Sequence, residues 1–297
     1  MKRNIVIAAV AILAVAGCGK KNIEFDGCGQ IDATKVTVSA ESNGKLISLV
    51  AEEGDKIEKG MLTGVIDSVQ TYLQKEELLK RKEGALTRIV DIPLQMKPME
   101  EQLASHEADL KRFRSLLQSN AGTRKQVDDM EAQIAILKGQ MAAQKKSYEN
   151  ANAGIRNEIA TYDVQIAKAV DQLAKCRVVS PVSGTVLTKY AEAGEMVTVG
   201  KPLYEVADMD NVYVRAYFST SQLAEVKLGD KVTVIPDDGT DSPKQYEGIV
   251  TWISCDAEFT PKNIQTRDER ADLVYAVKVS VKNDGGLRLG MYAYVKF

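Results

Sequence analysis

The sequence predicts an α+β chain: a long antiparallel α-helical coiled-coil hairpin inserted in a split β-sandwich, followed by a small β-barrel domain. Three observations predict it. Apolar residues at heptad spacing run through most of residues 69–176 and turn back once. The segments on either side of that stretch repeat each other. Beyond residue 210 the pattern changes to alternation with a period of two.

In the first arm Met96, Met99, Leu103, His106, Leu110, Phe113 and Leu117 are spaced by three and four, the a/d seam of a coiled coil. In the second arm Val127, Met130, Ile134, Leu137, Met141, Tyr148 and Ile155 keep the rhythm, with Gln144 and Ala151 in the two gaps. Ile159, Tyr162, Ile166, Ala169 and Leu173 carry it on after one four-residue skip. Between the arms, Gly122 is the residue expected to take the left-handed conformation that ends a helix. Thr123 with Gln126 reads as a capping box opening the next. The tip therefore falls near residue 121. Arms of about 50 residues reach roughly 75 Å, more than a core of this size needs, so the rod spans a distance or touches something at its end. Pro93 and Pro98 each remove a helical hydrogen bond and are expected to break the first arm into two stacked helices. Gly84 and Gly154 fall at similar heights and suggest a joint there.

The chain has 297 residues, a formal charge of −2, four cysteines and one histidine. That length accommodates two or three small domains. Lysines and arginines are interleaved with acids, which gives no electrostatic basis for nucleic-acid binding. His106 stands alone on the seam, so no catalytic or metal-ligating set can be built around it. No GxxxxGK[ST] phosphate loop is present. The expectation is a chain that is not an enzyme and holds no cofactor or metal.

Met1-Lys2-Arg3 is a basic n-region, and Ile5 to Ala16 is an apolar run too short to span a bilayer. Val15-Ala16-Gly17-Cys18 matches the bacterial lipobox, so residues 1–17 are expected to be a lipoprotein signal peptide and Cys18 the lipidated N-terminus. Cys28, Cys176 and Cys255 fit no zinc or CxxC spacing, and one disulfide or three free thiols are equally consistent with them.

Residues 18–34 form a polar tether leading into a strand expected at 35–40. Gly44, Gly54 and Gly60 then recur as Gly184, Gly194 and Gly200, each offset by 140 (184 − 44, 194 − 54, 200 − 60). At the same offset Glu52 matches Glu192, Asp55 aligns with Glu195, Ile57 with Val197 and Ile66 with Val206. The shared glycines supply turns between short strands. Two halves, 35–68 and 177–210, related by a pseudo-twofold would make a flattened sandwich with the hairpin 69–176 between them.

Gly54-Asp55-Lys56-Ile57-Glu58-Lys59-Gly60 and Ser180-Pro181-Val182-Ser183-Gly184-Thr185-Val186 resemble the first half and the start of the second half of a biotinyl/lipoyl domain. A carrier domain joins its halves through a turn bearing the modified lysine, whereas Ile66-Asp67-Ser68-Val69 offers none. A split lipoyl-like domain with an inserted coiled coil resembles the periplasmic adaptor (membrane fusion) proteins of the hemolysin-secretion D family.

Residues 211–297 read as strands at 212–218, 231–235, 246–253, 275–282 and 291–297, with a short helix at 221–226. With the strand at 30–40 they would close a small barrel. The turn running from Asn283 to Met291 resembles the one that ends the adaptor barrel. Many adaptors continue into a membrane-proximal domain; here it is expected to be absent or reduced to the residues before Lys35, which would set the barrel close to the bilayer.

Arg112, Leu116 and Thr123 stand at positions 0, 4 and 11, which resembles the adaptor tip motif RxxxLxxxxxxS with threonine for serine. By themselves these residues read as a solvated arginine, a packing leucine and an N-cap. The resemblance implies that they dock on an outer-membrane channel. The polar loop 259–270 looks more like that of adaptors of ATP-binding-cassette (ABC) exporters than of proton-driven pumps. The family further implies an inner-membrane transporter as partner, self-assembly as a hexamer, and a periplasmic site on the inner membrane of a Gram-negative cell. The rivals are a structural coiled-coil tether and a lipoyl or biotinyl carrier.

Overall fold

The computed structural model describes residues 25–240, 242–259 and 273–297. The expected signal peptide, Cys18 and loop residues 260–270 lie outside the described residues. In chain order the elements are β1 (Gly27–Ser39), β2 (Gly44–Leu49), β3 (Lys56–Ile57), β4 (Leu62–Ile66), α1 (Val69–Leu86), α2 (Ile92–Gln118), α3 (Arg124–Lys175), β5 (Arg177–Val179), β6 (Gly184–Lys189), β7 (Met196–Val197) and β8 (Pro202–Ser219). There follow α4 (Thr220–Leu223), β9 (Lys231–Pro236), β10 (Tyr246–Ile253), β11 (Glu258–Phe259), β12 (Leu273–Lys282) and β13 (Tyr292–Lys296). The chain divides into two compact units. One holds the residues up to Ala40, Leu46–Gly64 and Val178–Phe297; the other holds Glu41–Lys45 and Val65–Arg177.

In the first unit the repeat folds as a strand exchange. β2, β3 and β4 correspond to β6, β7 and the start of β8, and each half pairs with the other: β3 with β6, and β2 with β7. Equivalent hydrogen bonds occur on both sides. Leu46 N–H donates to Glu195 O at 2.8 Å, and Val186 N–H donates to Asp55 O at 2.9 Å. Gly194 N–H reaches Leu46 O at 2.7 Å, and Gly54 N–H reaches Val186 O at 2.9 Å. The turn glycines match in conformation too, with φ of 93° and 98° at Gly54 and Gly194 and of 83° and 88° at Gly60 and Gly200. Only a residue without Cβ takes such angles freely.

The barrel is closed by six strands in the order β8-β12-β10-β9-β13-β1, with β1 returning to β8. Val212, Val214, Ala216 and Phe218 are buried while Tyr213, Arg215 and Tyr217 are half-buried, as the alternation predicts. Two long strands, β1 and β8, continue through residues 34/35 and 210/211, with a shift in their mutual register between Ala33 and Lys35. β1 starts at Gly27 rather than near Lys35. The glycines that made this stretch look like a tether are required by close strand approach: a Cβ on Gly29 would lie 1.9 Å from Arg215 O.

The second unit is the helical hairpin. α3 runs unbroken for 52 residues, about 78 Å. The first arm is two helices, as expected, but the break covers residues 87–91 and precedes both prolines. Asp91 caps α2, its Oδ1 accepting from Leu94 N–H at 3.3 Å, and Pro93 sits in the first turn, where a missing N–H costs nothing. Pro98 lies inside α2 and does not end it. Every apolar seam residue expected from the heptads except Ala151 is buried or half-buried; Gln144 and Ala151 are exposed, and Asn152 takes the buried place. In α1 the half-buried or buried stripe continues through Thr71, Lys75, Leu78, Lys82 and Ala85.

Candidate functional site

The hairpin tip is built from a helix stop and a helix start. Asn120 N–H donates to Leu117 O (3.1 Å) and Ala121 N–H to Leu116 O (2.9 Å), the paired bonds of a Schellman ending. Such an ending needs one left-handed residue, and that residue is Asn120, with φ of 58°. This corrects the expectation for Gly122, which instead serves close packing: a Cβ there would stand 3.2 Å from Leu116 Cβ and from Leu117 N. Thr123 N–H donates to Gln126 Oε1 at 3.0 Å, and the threonine hydroxyl donates to the same oxygen at 3.1 Å. Thr123 is thus the N-cap of α3.

Arg112 and Leu116 lie one turn apart on α2, so their side chains share a face. Arg112 is 72% exposed in its side chain and makes an i,i+3 ion pair with Asp109 at 3.1 Å. Leu116 is 39% exposed. Below them the two arms are pinned by Arg114 with Glu131 at 2.5 Å and Lys138 with Glu107 at 2.9 Å. The arrangement can present a planar cationic fork and an apolar knob to a partner's carbonyls and carboxylates. His106 is half-buried on the seam.

Halfway down the hairpin a polar contact escaped the heptad reading. Asn152, 5% exposed, turns its amide toward the non-helical joint of the first arm. Its Nδ2 donates to Val90 O at 2.8 Å, and its Oδ1 accepts from Val90 N–H at 2.9 Å. One side chain thereby satisfies both polar groups of a residue that has left the helix. The signal was present as Asp91-Ile92-Pro93, a helix start opposite an uninterrupted helix. Nearer the hairpin base, Lys82 on the seam pairs with Asp163 at 2.6 Å.

The two sandwich halves are joined by charge as well. Lys189 Nζ lies 2.8 Å from both Glu52 and Glu192, carboxylates at equivalent places in the repeat. Hydrogen bonds to Glu192 and Glu52 raise the lysine's pKa above its ordinary value. Cys28 and Cys255 are exposed and Cys176 is buried, and all three are free thiols. Among the described residues no group of histidine, cysteine or acidic side chains is placed to hold a metal ion. Nor is any described helix long and apolar enough to cross a membrane.

The barrel-sandwich hybrid domain of RND membrane fusion proteins matches residues 34–208, which takes in both sandwich halves and the whole hairpin. The chain belongs to the RND-type membrane fusion protein family. This membrane fusion protein is 31% identical over 284 residues to a UPF0194 membrane protein of Acidithiobacillus ferridurans, covering 89% of this chain and 83% of the relative. It is 28% identical over 325 residues to a UPF0194 membrane protein of Yersinia enterocolitica, covering 100% and 98%. In fold it is similar to MacA from Actinobacillus actinomycetemcomitans (TM-score 0.55, 19% identity, 91% of this chain and 76% of that one). It is equally similar to the membrane fusion protein Spr0693 from Streptococcus pneumoniae (TM-score 0.55, 19% identity, 91% and 96%).

Proposed function

We propose that this membrane fusion protein is a lipid-anchored periplasmic adaptor that links an inner-membrane transporter, of the ABC type, to an outer-membrane channel. The observation that carries the reading is the hairpin itself. A helix of about 78 Å ends in a tightly closed tip that leaves the Arg112 and Leu116 side chains exposed on one face. Docking on the channel is assigned to Arg112 and Leu116, with Thr123 holding the turn that presents them. Several copies, six on the family's pattern, would gather their hairpins into a tube. The split sandwich works as a scaffold and not as a carrier, since the hairpin occupies the place of the modified-lysine turn. Chemistry and energy come from the transporter.

Cross-linking in cells tests this. A cysteine at Ala121, which is exposed and not part of the packed contact made by Gly122, is combined with Cys28→Ser, Cys255→Ser and Cys176→Ala. The expected product is an adduct with an outer-membrane channel protein, lost on Arg112→Asp or Leu116→Asp. Capture of another copy alone, or of nothing, would overturn the docking assignment and favour a plain tether. Intact mass checks the anchor separately, through acylation of Cys18.

A further inference from the structure

One rim of the barrel is more apolar than a set of strand ends needs to be. Phe25, just before β1, and Phe297, just after β13, stand side by side, and the Phe297 N–H donates to Asp26 Oδ2 at 2.9 Å. The Phe25 ring lies 4.6 Å from Tyr294, and the Phe297 ring lies 5.4 Å from Phe218, which fills the barrel at this end. Those contacts leave the two residues 44% and 43% exposed. Leu273 at the start of β12 and Leu228 before β9 are exposed as well, at 48% and 67%. Strand register brings all four to one end: Gly27 pairs with Val295, Val274 with Ser219, and Lys296 with Thr233. Single exposed apolar residues are ordinary, but a group of this size on one rim marks a contact surface.

We propose that this rim rests on the surface of a lipid bilayer. The inference builds on the anchoring of Cys18. Phe25 follows that cysteine by seven residues (25 − 18), so a lipid on Cys18 can lie no more than about 25 Å from the rim even with the chain fully extended. The rim is therefore the part of this unit that the anchor delivers to the membrane. Phenylalanine and tyrosine rings favour the headgroup–acyl boundary, where apolar faces leave water and polar edges stay wet. An anchor alone would leave the barrel swinging on its leash; rim insertion fixes its height.

The test uses the full lipidated chain reconstituted in phosphatidylethanolamine/phosphatidylglycerol vesicles. Phe297→Trp is introduced with Trp252→Phe, so that one indole reports, and quenching by lipids brominated along the acyl chain is measured. Met196→Trp, at an exposed position in the sandwich of the same unit, serves as the reference. The expected result is blue-shifted emission at 297 that lipid bromine quenches strongly, with no quenching at 196. Adding Phe25→Ser and Leu273→Ser should remove most of that quenching. Acylated protein whose indole at 297 is no more quenched than that at 196 would overturn the proposal while leaving the anchor intact. Absence of acylation in the mass spectrum would instead remove the anchor on which the proposal stands.

Discussion

The joint in the first arm makes a quantitative demand on Asn152. Asn152→Ala removes the donor to Val90 O and the acceptor for Val90 N–H at a site that is only partly open to water. Each orphaned backbone group costs about 1 kcal/mol there. Alanine returns about 0.5 kcal/mol through its better helix propensity, so the net loss is about 1.5 kcal/mol. The helical signal at 222 nm comes almost entirely from the hairpin, so guanidinium unfolding followed by circular dichroism reads this unit. With a slope of about 3 kcal/mol/M the midpoint should fall by roughly 0.5 M. Hydrogen exchange should localise the effect, with the Val90 amide losing its protection while amides in the middle of α3 keep theirs. An unchanged midpoint with an unchanged Val90 rate would refute the argument that the amide holds the joint.

Three further outcomes follow from the geometry. Asn120→Ala should destabilise the tip by about 1 kcal/mol, because alanine pays the left-handed penalty, whereas Asn120→Gly should be neutral or slightly stabilising; thermal unfolding of the two variants separates them. Asp284 is held to a pKa of about 2, below the ordinary 3.8, chiefly by the hydrogen bond from Lys244, then by those from the Gly286 N–H and the Tyr246 hydroxyl. A depressed carboxylate stabilises above its unfolded pKa, so this contribution is complete above about pH 4 and is lost as pH falls toward 2. Asp284→Asn should flatten the acid limb of the barrel's stability curve in that window, as read by near-ultraviolet circular dichroism. Lys189→Glu would set a third carboxylate against Glu52 and Glu192, and should lower the unfolding midpoint of the sandwich in low salt, with partial recovery at 1 M salt as the repulsion is screened.

How far the sequence could be read depended on whether the physics was periodic. The seam from Met96 to Leu117 and from Val127 to Leu173 was legible because burial in a coiled coil repeats with a fixed period. Asn152 was not, because the seam moves by one residue from Ala151 at the place where the opposite arm stops being helical. That shift answers a backbone need across the pair, which spacing within one arm does not record. At the tip the turn was legible but its left-handed residue was not: Asn120 and Gly122 both suit such a place, and packing against Leu116 decides between them. The β1 strand was hidden by its own glycines, which read as loop until their crossing with β8 is seen. The likeness of the two halves, in contrast, was carried by the offset of 140, since equal turns at equal spacing give equal local structure, whereas the pairing of each half with the other appears only in the strand order. Arg112, Leu116 and Thr123 were singled out through a motif, and local geometry by itself explains Thr123 as an N-cap and Leu116 as part of the tip's packing and helix ending.

The exchanged pairing has a consequence for how the chain reaches its native state. Because β3 needs β6 and β2 needs β7, neither half of the sandwich has a complete set of partners until the other arrives. Residues 66 and 176 must first come together across a sequence separation of 110 (176 − 66), which for a flexible chain costs about 4 kcal/mol of closure entropy. The hairpin removes most of that cost ahead of time. Its contacts are local near the tip and can zip downward one heptad at a time, delivering Ile66 N–H to Cys176 O, where they bond at 2.8 Å. In this order the coiled coil acts as an internal splint, and substitutions far up the seam would slow the assembly of strands they never touch.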